Sequence, residues 1–396
     1  MHNGSRFLTG LAESGHLDPC VLATAGNHDH AFWTDARLGL EIDPDLPEAL
    51  THATPAFAPT FAAQSRMLQA VLTKAGFQSQ DFRYPNIGVA NENRTVVLHH
   101  GHFAEAEYIA ISHLIDVLRT GPARDLTVAD IAAENGGWID FLWPSISQTG
   151  QSQGASDAYQ MMLTPSGFRR ISARFGEVLT EVIGEALPMS GNIQLREAIR
   201  MATRMGLDAT LGRFRDTSRF YETAALSPGG RDELETYLSG AIARQLVEEQ
   251  GDMPHDLTFV FGHTHKPFSD RMAISNYPTP VKVHNLGGWT LNGPRLDNRE
   301  GASMVLIDDA MNVAQVKLFS TPQDGVIDPP SVSMLDDHCG AASAFKAEIE
   351  AWLETSAKEW TALTDAAIQS YGRIQAKLLE LTETEITRHA KQGGSS

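Results

Sequence analysis

The chain contains few of the residues that several protein classes depend on. Only two of its 396 residues are cysteines, Cys20 and Cys339, and neither belongs to a Cys-x-x-Cys pair. Two distant thiols cannot build a disulfide framework or a cysteine zinc site in a chain of this length. We therefore expect two reduced cysteines in a cytoplasmic protein.

Long apolar runs and an excess of basic residues are also missing. No run of about 18 apolar residues occurs, so no transmembrane helix is expected, and residues 1–7 lack the apolar core of a signal peptide. Lys and Arg number 31 against 49 Asp and Glu, which gives a net charge of −18 at pH 7. This acidic balance disfavours nucleic acid and anionic membranes as partners. A phosphate substrate stays compatible with it, because bound cations reverse the local field.

The composition that remains is that of a globular protein, with 42% apolar and 20% charged residues. Apolar runs and periodicities predict the elements. Strands are expected at 21–25, 95–98, 257–261, 281–284, 303–307 and 313–319, the last two as a hairpin. Helices are expected at 5–12, 62–75, most of 104–250, and 341–390.

This order of elements predicts an α/β protein. Residues 1–103 and 251–325 would form the core. Residues 104–250 would be a large helical insertion placed where a lid over the site would lie, and 326–396 a C-terminal linker and helix. Trp138 and Trp143 in the insertion would either contact an apolar part of a substrate or pack in a helix core.

Three polar clusters follow predicted strands, which is where α/β proteins place their sites. They are 26–29 (Gly-Asn-His-Asp), 100–102 (His-Gly-His) and 262–265 (Gly-His-Thr-His). Histidine offers a neutral nitrogen to zinc, manganese or iron, and asparagine offers a hard carbonyl oxygen. Taken singly, the first cluster is also compatible with a turn and the second with a structural histidine. Their joint occurrence in this order favours metal binding.

The clusters resemble motifs of the calcineurin-like metallophosphoesterase superfamily. That family carries five blocks: Asp-x-His, Gly-Asp, Gly-Asn-His-Asp/Glu, a lone His often before Gly, and Gly-His-x-His. Residues 26–29 match the third block, and 262–265 match the fifth. His100 matches the fourth, with His99 as the neighbouring alternative, and 285–289 (Asn-Leu-Gly-Gly-Trp) resemble the Asn-x-Gly segment that often follows the fifth.

The resemblance implies a β-sandwich flanked by helices and two divalent ions, of manganese, iron or zinc. Asn27, His100 and His263 would bind one ion, and His265 the other. His28 would protonate the leaving group, with Asp29 orienting it. The implied reaction is hydrolysis of a phosphomonoester or phosphodiester by a metal-bridging hydroxide.

The first two blocks of the family are missing from the position where the family carries them. They would lie before Gly26, where only 25 residues stand, and these contain no Asp-x-His and no Gly-Asp. Without a bridging carboxylate, two neighbouring cations repel each other with little compensation. We therefore expect ligands for one ion and part of a second site, in an N-terminally truncated, weakly active chain with an exposed sheet edge near 21–25.

Two other functions are compatible with the same residues. A noncatalytic metal-binding or scaffolding homologue would use the helix at 341–390 as a partner surface. A mononuclear zinc hydrolase acting on amides would use His100, His263 and His265, but it leaves the cluster at 26–29 unexplained. The sequence gives no indication of the oligomeric state.

Overall fold

The computed structural model describes most of the chain as a mixed α/β protein with three open sheets. The residues described are 2–41, 52–58, 63–119, 122, 124–140, 224–288, 297, 299–322, 324–336 and 340–393. Trp143 and the remaining predicted helices of the insertion, between 141 and 223, lie outside them.

A five-stranded sheet forms the centre of the protein. Its strands are β3 (Asn86–Ala90), β4 (Arg94–His99), β5 (Asp256–Phe261), β6 (Phe268–Met272) and β7 (Val281–Asn285). They lie in the order β3-β4-β5-β7-β6, with β4, β5 and β7 parallel and the outer two strands antiparallel. The parallel strands therefore end at one edge, and the sheet combines the two predicted core segments.

A second, antiparallel sheet packs on one face of the first. It consists of β8 (Gly301–Ile307), β9 (Val313–Ser320) and β10 (Ser331–Met334) in the order β10-β9-β8. The predicted hairpin is confirmed as β8 and β9. One apolar cluster joins both sheets, and it contains Val96, Leu98, Val260, Leu286, Val305, Ile307, Met311 and Val313.

The third sheet is small and lies at the N-terminal side. Strand β1 (Cys20–Ala23) pairs in parallel with β2 (Ser79–Phe82), next to helices α1 (His2–Glu13) and α3 (Arg66–Ala75). Within the described residues β1 pairs on one side only, and Leu22 keeps 43% of its surface exposed, as expected for an exposed sheet edge near 21–25.

Helices cover the other face of the central sheet and surround the site. They are α2 (Ala31–Glu41), α4 (Ala110–Leu118), α5 (Val128–Asp140), α6 (Pro228–Tyr237) and α7 (Ala243–Gln250), with a π-helical turn at Leu238–Ile242 between the last two. Their apolar side chains share one large core with the sheet.

Local sequence explains where two of the helices begin. Thr127 caps α5, since the Asp130 backbone N–H donates to Thr127 Oγ1 at 3.1 Å and the Thr127 N–H donates to Asp130 Oδ2 at 2.9 Å. Ser227 caps α6 by accepting from the Gly230 N–H at 2.9 Å, and Pro228 occupies the first turn of that helix, where a missing N–H leaves no hydrogen bond unmade.

The predicted helix at 341–390 is two helices, α8 (Ala341–Thr355) and α9 (Ala357–Gly393), separated at Ser356. Their apolar stripe packs on the second sheet through residues such as Ile349, Ala367 and Tyr371. Among the described helices, none is both long enough and apolar enough to cross a membrane.

Candidate functional site

The histidine loops after β4 and β5 lie side by side because those strands are parallel neighbours. The Gly262 N–H donates to the carbonyl oxygen of His100 at 2.9 Å. The rings of His100 and His263 meet edge to face with centroids 5.2 Å apart. The structure thus brings the second and third clusters together.

The structure distinguishes His100 from its neighbour His99. The His99 ring lies 5.3 Å from Tyr237 and 6.1 Å from Phe259 in the core, and its Nδ1 accepts a hydrogen bond from the Gly101 N–H at 2.8 Å. His99 therefore belongs to the core, and His100 is the histidine that faces the other clusters.

The Gly-Asn-His-Asp loop after β1 contacts the His100 ring directly. A Cβ atom at Gly26 would lie 2.7 Å from His100 Cγ and closer still to Cδ2 and Nε2. Only glycine leaves room for the ring there. The Gly26 N–H donates to Asp29 Oδ1 at 2.6 Å, so Asp29 closes this loop on itself. Its proposed role in orienting His28 stays a prediction.

Asn27 connects the first cluster to the third. It is buried, and its Nδ2 donates to the hydroxyl of Tyr108 at 3.2 Å. The Tyr108 ring in turn lies 4.8 Å from the ring of His263. The Asn27 Oδ1 atom is buried and has no hydrogen-bond partner among the described residues. An unsatisfied buried carbonyl costs about 1–3 kcal/mol, so it requires an explanation.

The Gly-His-Thr-His loop holds both of its histidines in strained backbone conformations. His263 has φ 72° and His265 has φ 65°, in the left-handed region that non-glycine residues rarely occupy. Such conformations cost about 1–3 kcal/mol each and concentrate at functional sites. Asn285 supports the loop, because its Nδ2 donates to Gly262 O at 2.8 Å.

His265 lies against Gly288 and the start of β8. A Cβ atom at Gly288 would lie 2.6 Å from His265 Nε2, and the Gly301 N–H donates to the His265 carbonyl oxygen at 3.2 Å. The structure therefore gathers Asn27, His100 and His263, and places His265 next to the segment that resembles Asn-x-Gly.

Burial keeps the central imidazoles uncharged. Desolvation lowers the pKa of His100 to about 4. Desolvation, together with neighbouring imidazoles, also lowers the pKa values of His99 and His102 well below the usual range. Neutral imidazole is the form that binds a metal.

Three buried side chains near the site form an arrangement that the sequence did not predict. The Tyr84 hydroxyl lies 3.2 Å from His102 Nε2 and 3.1 Å from His30 Nε2. His102 is part of the histidine run that drew attention to His100, and His30 directly follows Asp29. Their proximity to Tyr84 depends on long-range packing, so no sequence pattern revealed it.

The donors that Asn27, His100 and His263 offer include no carboxylate. They are one amide oxygen and two imidazoles, and within the described ranges no group of three or more His, Cys, Asp or Glu residues is placed to hold a metal ion. Comparison with known proteins adds no relative, since no family model, curated protein or solved structure matches the chain.

Proposed function

We propose that this protein is a metal-dependent phosphoester hydrolase, acting on phosphomonoesters or phosphodiesters. The observation that carries the proposal is the buried Asn27 Oδ1, which lacks a hydrogen-bond partner in the described structure. The Asn27 side chain donates to the Tyr108 hydroxyl, and the ring of His263 packs against the Tyr108 ring. His100 packs against Gly26, the residue before Asn27. A cation in this group would satisfy the carbonyl oxygen.

The donor types fit a borderline divalent cation. An amide oxygen with imidazole nitrogens suits manganese, zinc or iron better than calcium, which prefers oxygen ligands alone. Asn27, His100 and His263 would hold one ion, and His265 would contribute to a second. Bound divalent ions supply positive charge for phosphoryl oxygens and activate water at neutral pH.

The chain's own residues would then bind and protonate the substrate. His28 lies in the same loop as Asn27 and is exposed, so a phosphoester can reach it. An imidazolium there donates a proton to the leaving alkoxide as the P–O bond breaks. The Asp29 carboxylate, fixed by the Gly26 N–H at 2.6 Å, adds a negative charge that favours the protonated ring.

Turnover of aryl phosphates tests this proposal. The full chain is stripped with chelator, reloaded with Mn²⁺, and assayed on an aryl phosphomonoester and a bis-aryl phosphodiester. We expect metal-dependent release of the phenol, reduced about 10²–10⁴-fold in His28→Ala, which is the usual contribution of a general acid. His16→Ala, which removes another exposed histidine, is the matched control and should retain the wild-type rate.

A noncatalytic metal-binding or scaffolding protein is the second candidate. The neutral donors Asn27, His100 and His263 favour it, because two close cations need carboxylates to offset their repulsion. Tight binding of one Mn²⁺ per chain, with no turnover of either aryl ester under any metal, would support this candidate over the hydrolase.

A further inference from the structure

A continuous hydrogen-bonded series leads away from His100 through the core. His100 Nδ1 lies 3.3 Å from His102 Nδ1, and His102 Nε2 lies 3.2 Å from the Tyr84 hydroxyl. The same hydroxyl lies 3.1 Å from His30 Nε2, and His30 Nδ1 lies 2.7 Å from Asp140 Oδ1. Five side chains thus form a series that leads from His100 to the carboxylate of Asp140.

The carboxylate at the end sets the direction of every hydrogen in this series. An ionised Asp140 only accepts, so His30 carries its hydrogen on Nδ1. A neutral His30 then accepts on Nε2, so Tyr84 donates to it and must accept from His102 Nε2–H. This leaves His102 Nδ1 as an acceptor, and His100 donates from Nδ1. The lone pair of His100 is consequently on Nε2.

The opposite direction needs one more proton. If Tyr84 donated to His102, His30 would have to carry hydrogens on both nitrogens, whereas in the first direction each of the three rings carries a single hydrogen. The direction that keeps all three rings neutral also satisfies both nitrogens of His30 and of His102.

Packing holds the middle of the series in place. The Tyr84 ring stacks on Trp33 with centroids 4.8 Å apart and planes at 14°, and the Thr34 hydroxyl donates to Asp140 Oδ2 at 2.9 Å. Because the centre and the Asp140 end are held by these contacts, the series can determine the tautomer of His100.

We propose that Asp140, His30, Tyr84 and His102 are positioning residues that fix His100 as the Nδ1–H tautomer and so present its Nε2 lone pair to the site. Of the four, only His102 belongs to the three clusters that suggested the function. Hydrogen-bonded partners of this kind orient the histidine ligands of metal centres.

The tautomers are measured by ¹⁵N NMR of the imidazoles in metal-free full-length protein at about pH 8, above the ordinary histidine pKa. The expected result is Nδ1–H on His30 and His100 and Nε2–H on His102. In Tyr84→Phe, His100 and His102 should lose their single-tautomer signals. Tyr277→Phe, which removes the hydroxyl bonded to Leu238 O at 2.8 Å, should keep them.

Asp140 gives a second variant that does not depend on core packing at Tyr84, because its side chain is 34% exposed. Asp140→Ala removes the terminal acceptor and should also mix the tautomers. Asp140→Asn keeps an acceptor oxygen and should restore them. Hydrogen on Nε2 of His100 in the wild type, or unchanged tautomers in both Tyr84→Phe and Asp140→Ala, would overturn the proposal.

The consequence for metal binding rests on the proposed function and is measured separately. Calorimetry should show Mn²⁺ binding about 10–100-fold weaker in Tyr84→Phe than in Tyr277→Phe. If the wild type has the expected tautomers but binds no Mn²⁺, the positioning network stands and the metal site fails. If Mn²⁺ binds equally to both variants, the network does not position a ligand.

Discussion

Replacing Gly26 by alanine puts a methyl group where the His100 ring lies. The new carbon would be 2.7 Å from His100 Cγ, whereas carbon atoms in favourable contact are about 3.5–4.0 Å apart. The ring or the loop must therefore move by about 1 Å. His100 cannot move freely, because His102 lies 3.3 Å away on one side and the His263 ring on the other.

The size of the effect follows from this confinement. Overpacking a tight site costs about 1–3 kcal/mol of unfolding free energy. A displacement of about 1 Å in a reacting group costs about 10²-fold in rate, so we expect a loss of that order in aryl phosphate hydrolysis. Urea denaturation measures the first quantity, and steady-state kinetics with Mn²⁺ measures the second.

Gly39→Ala is the matched control, because an alanine methyl at Gly39 has no heavy atom within 4 Å and the residue lies inside helix α2. That change should stabilise the protein by about 0.5–1 kcal/mol and leave the rate unchanged. If Gly26→Ala matched Gly39→Ala in both measurements, the close approach of His100 to Gly26 would be refuted.

Three further predictions concern acid, a helix cap and metal. The pKa of His100 is lowered from 6.5 to about 4, so the unfolded state binds the proton first as pH falls. Metal-free protein should therefore lose up to about 3 kcal/mol of unfolding free energy between pH 6.5 and 4. Urea denaturation across pH should show a smaller loss in His100→Gln, and an equal loss in both proteins would contradict this prediction. Thr127→Ala removes the cap of α5 and should cost about 1 kcal/mol, whereas Thr361→Ala on exposed α9 should cost less. Mn²⁺ at about 100 times its Kd should stabilise the wild type by about 2.7 kcal/mol in thermal unfolding and should not stabilise His263→Ala.

The sequence predicted those elements whose own residues form a clear apolar run or periodicity. Strand β5 is a nearly continuous apolar run buried by neighbours on both sides, and it was found with one residue of difference at its start. Strand β6 (Phe268–Met272) was missed because its polar residues become a strand only by pairing with β7 at the sheet edge. Strand β3 (Asn86–Ala90) was missed because it is short and has a glycine at its centre, and it forms a strand by pairing with β4.

The candidate site shows the same division. Gly-Asn-His-Asp and Gly-His-Thr-His are local patterns, and the sequence singled out Asn27, His100 and His263, which the structure brings together. The choice between His99 and His100 depends on which face of the sheet each side chain points to, and neighbouring residues of a strand point to opposite faces. The hydrogen-bonded series through Tyr84 could not be predicted from the sequence, because Asp140 and His30 are 110 positions apart and meet only in the fold.

Calorimetry of Mn²⁺ binding to the full chain, in the wild type and in Asn27→Leu, decides whether the buried Asn27 oxygen is a metal ligand. Leucine has nearly the same shape as asparagine but offers no oxygen in place of the buried Oδ1 atom. We expect at least one Mn²⁺ per wild-type chain and a loss of that binding in Asn27→Leu. No binding by the wild type at roughly millimolar Mn²⁺, or equal binding by both proteins, would contradict it.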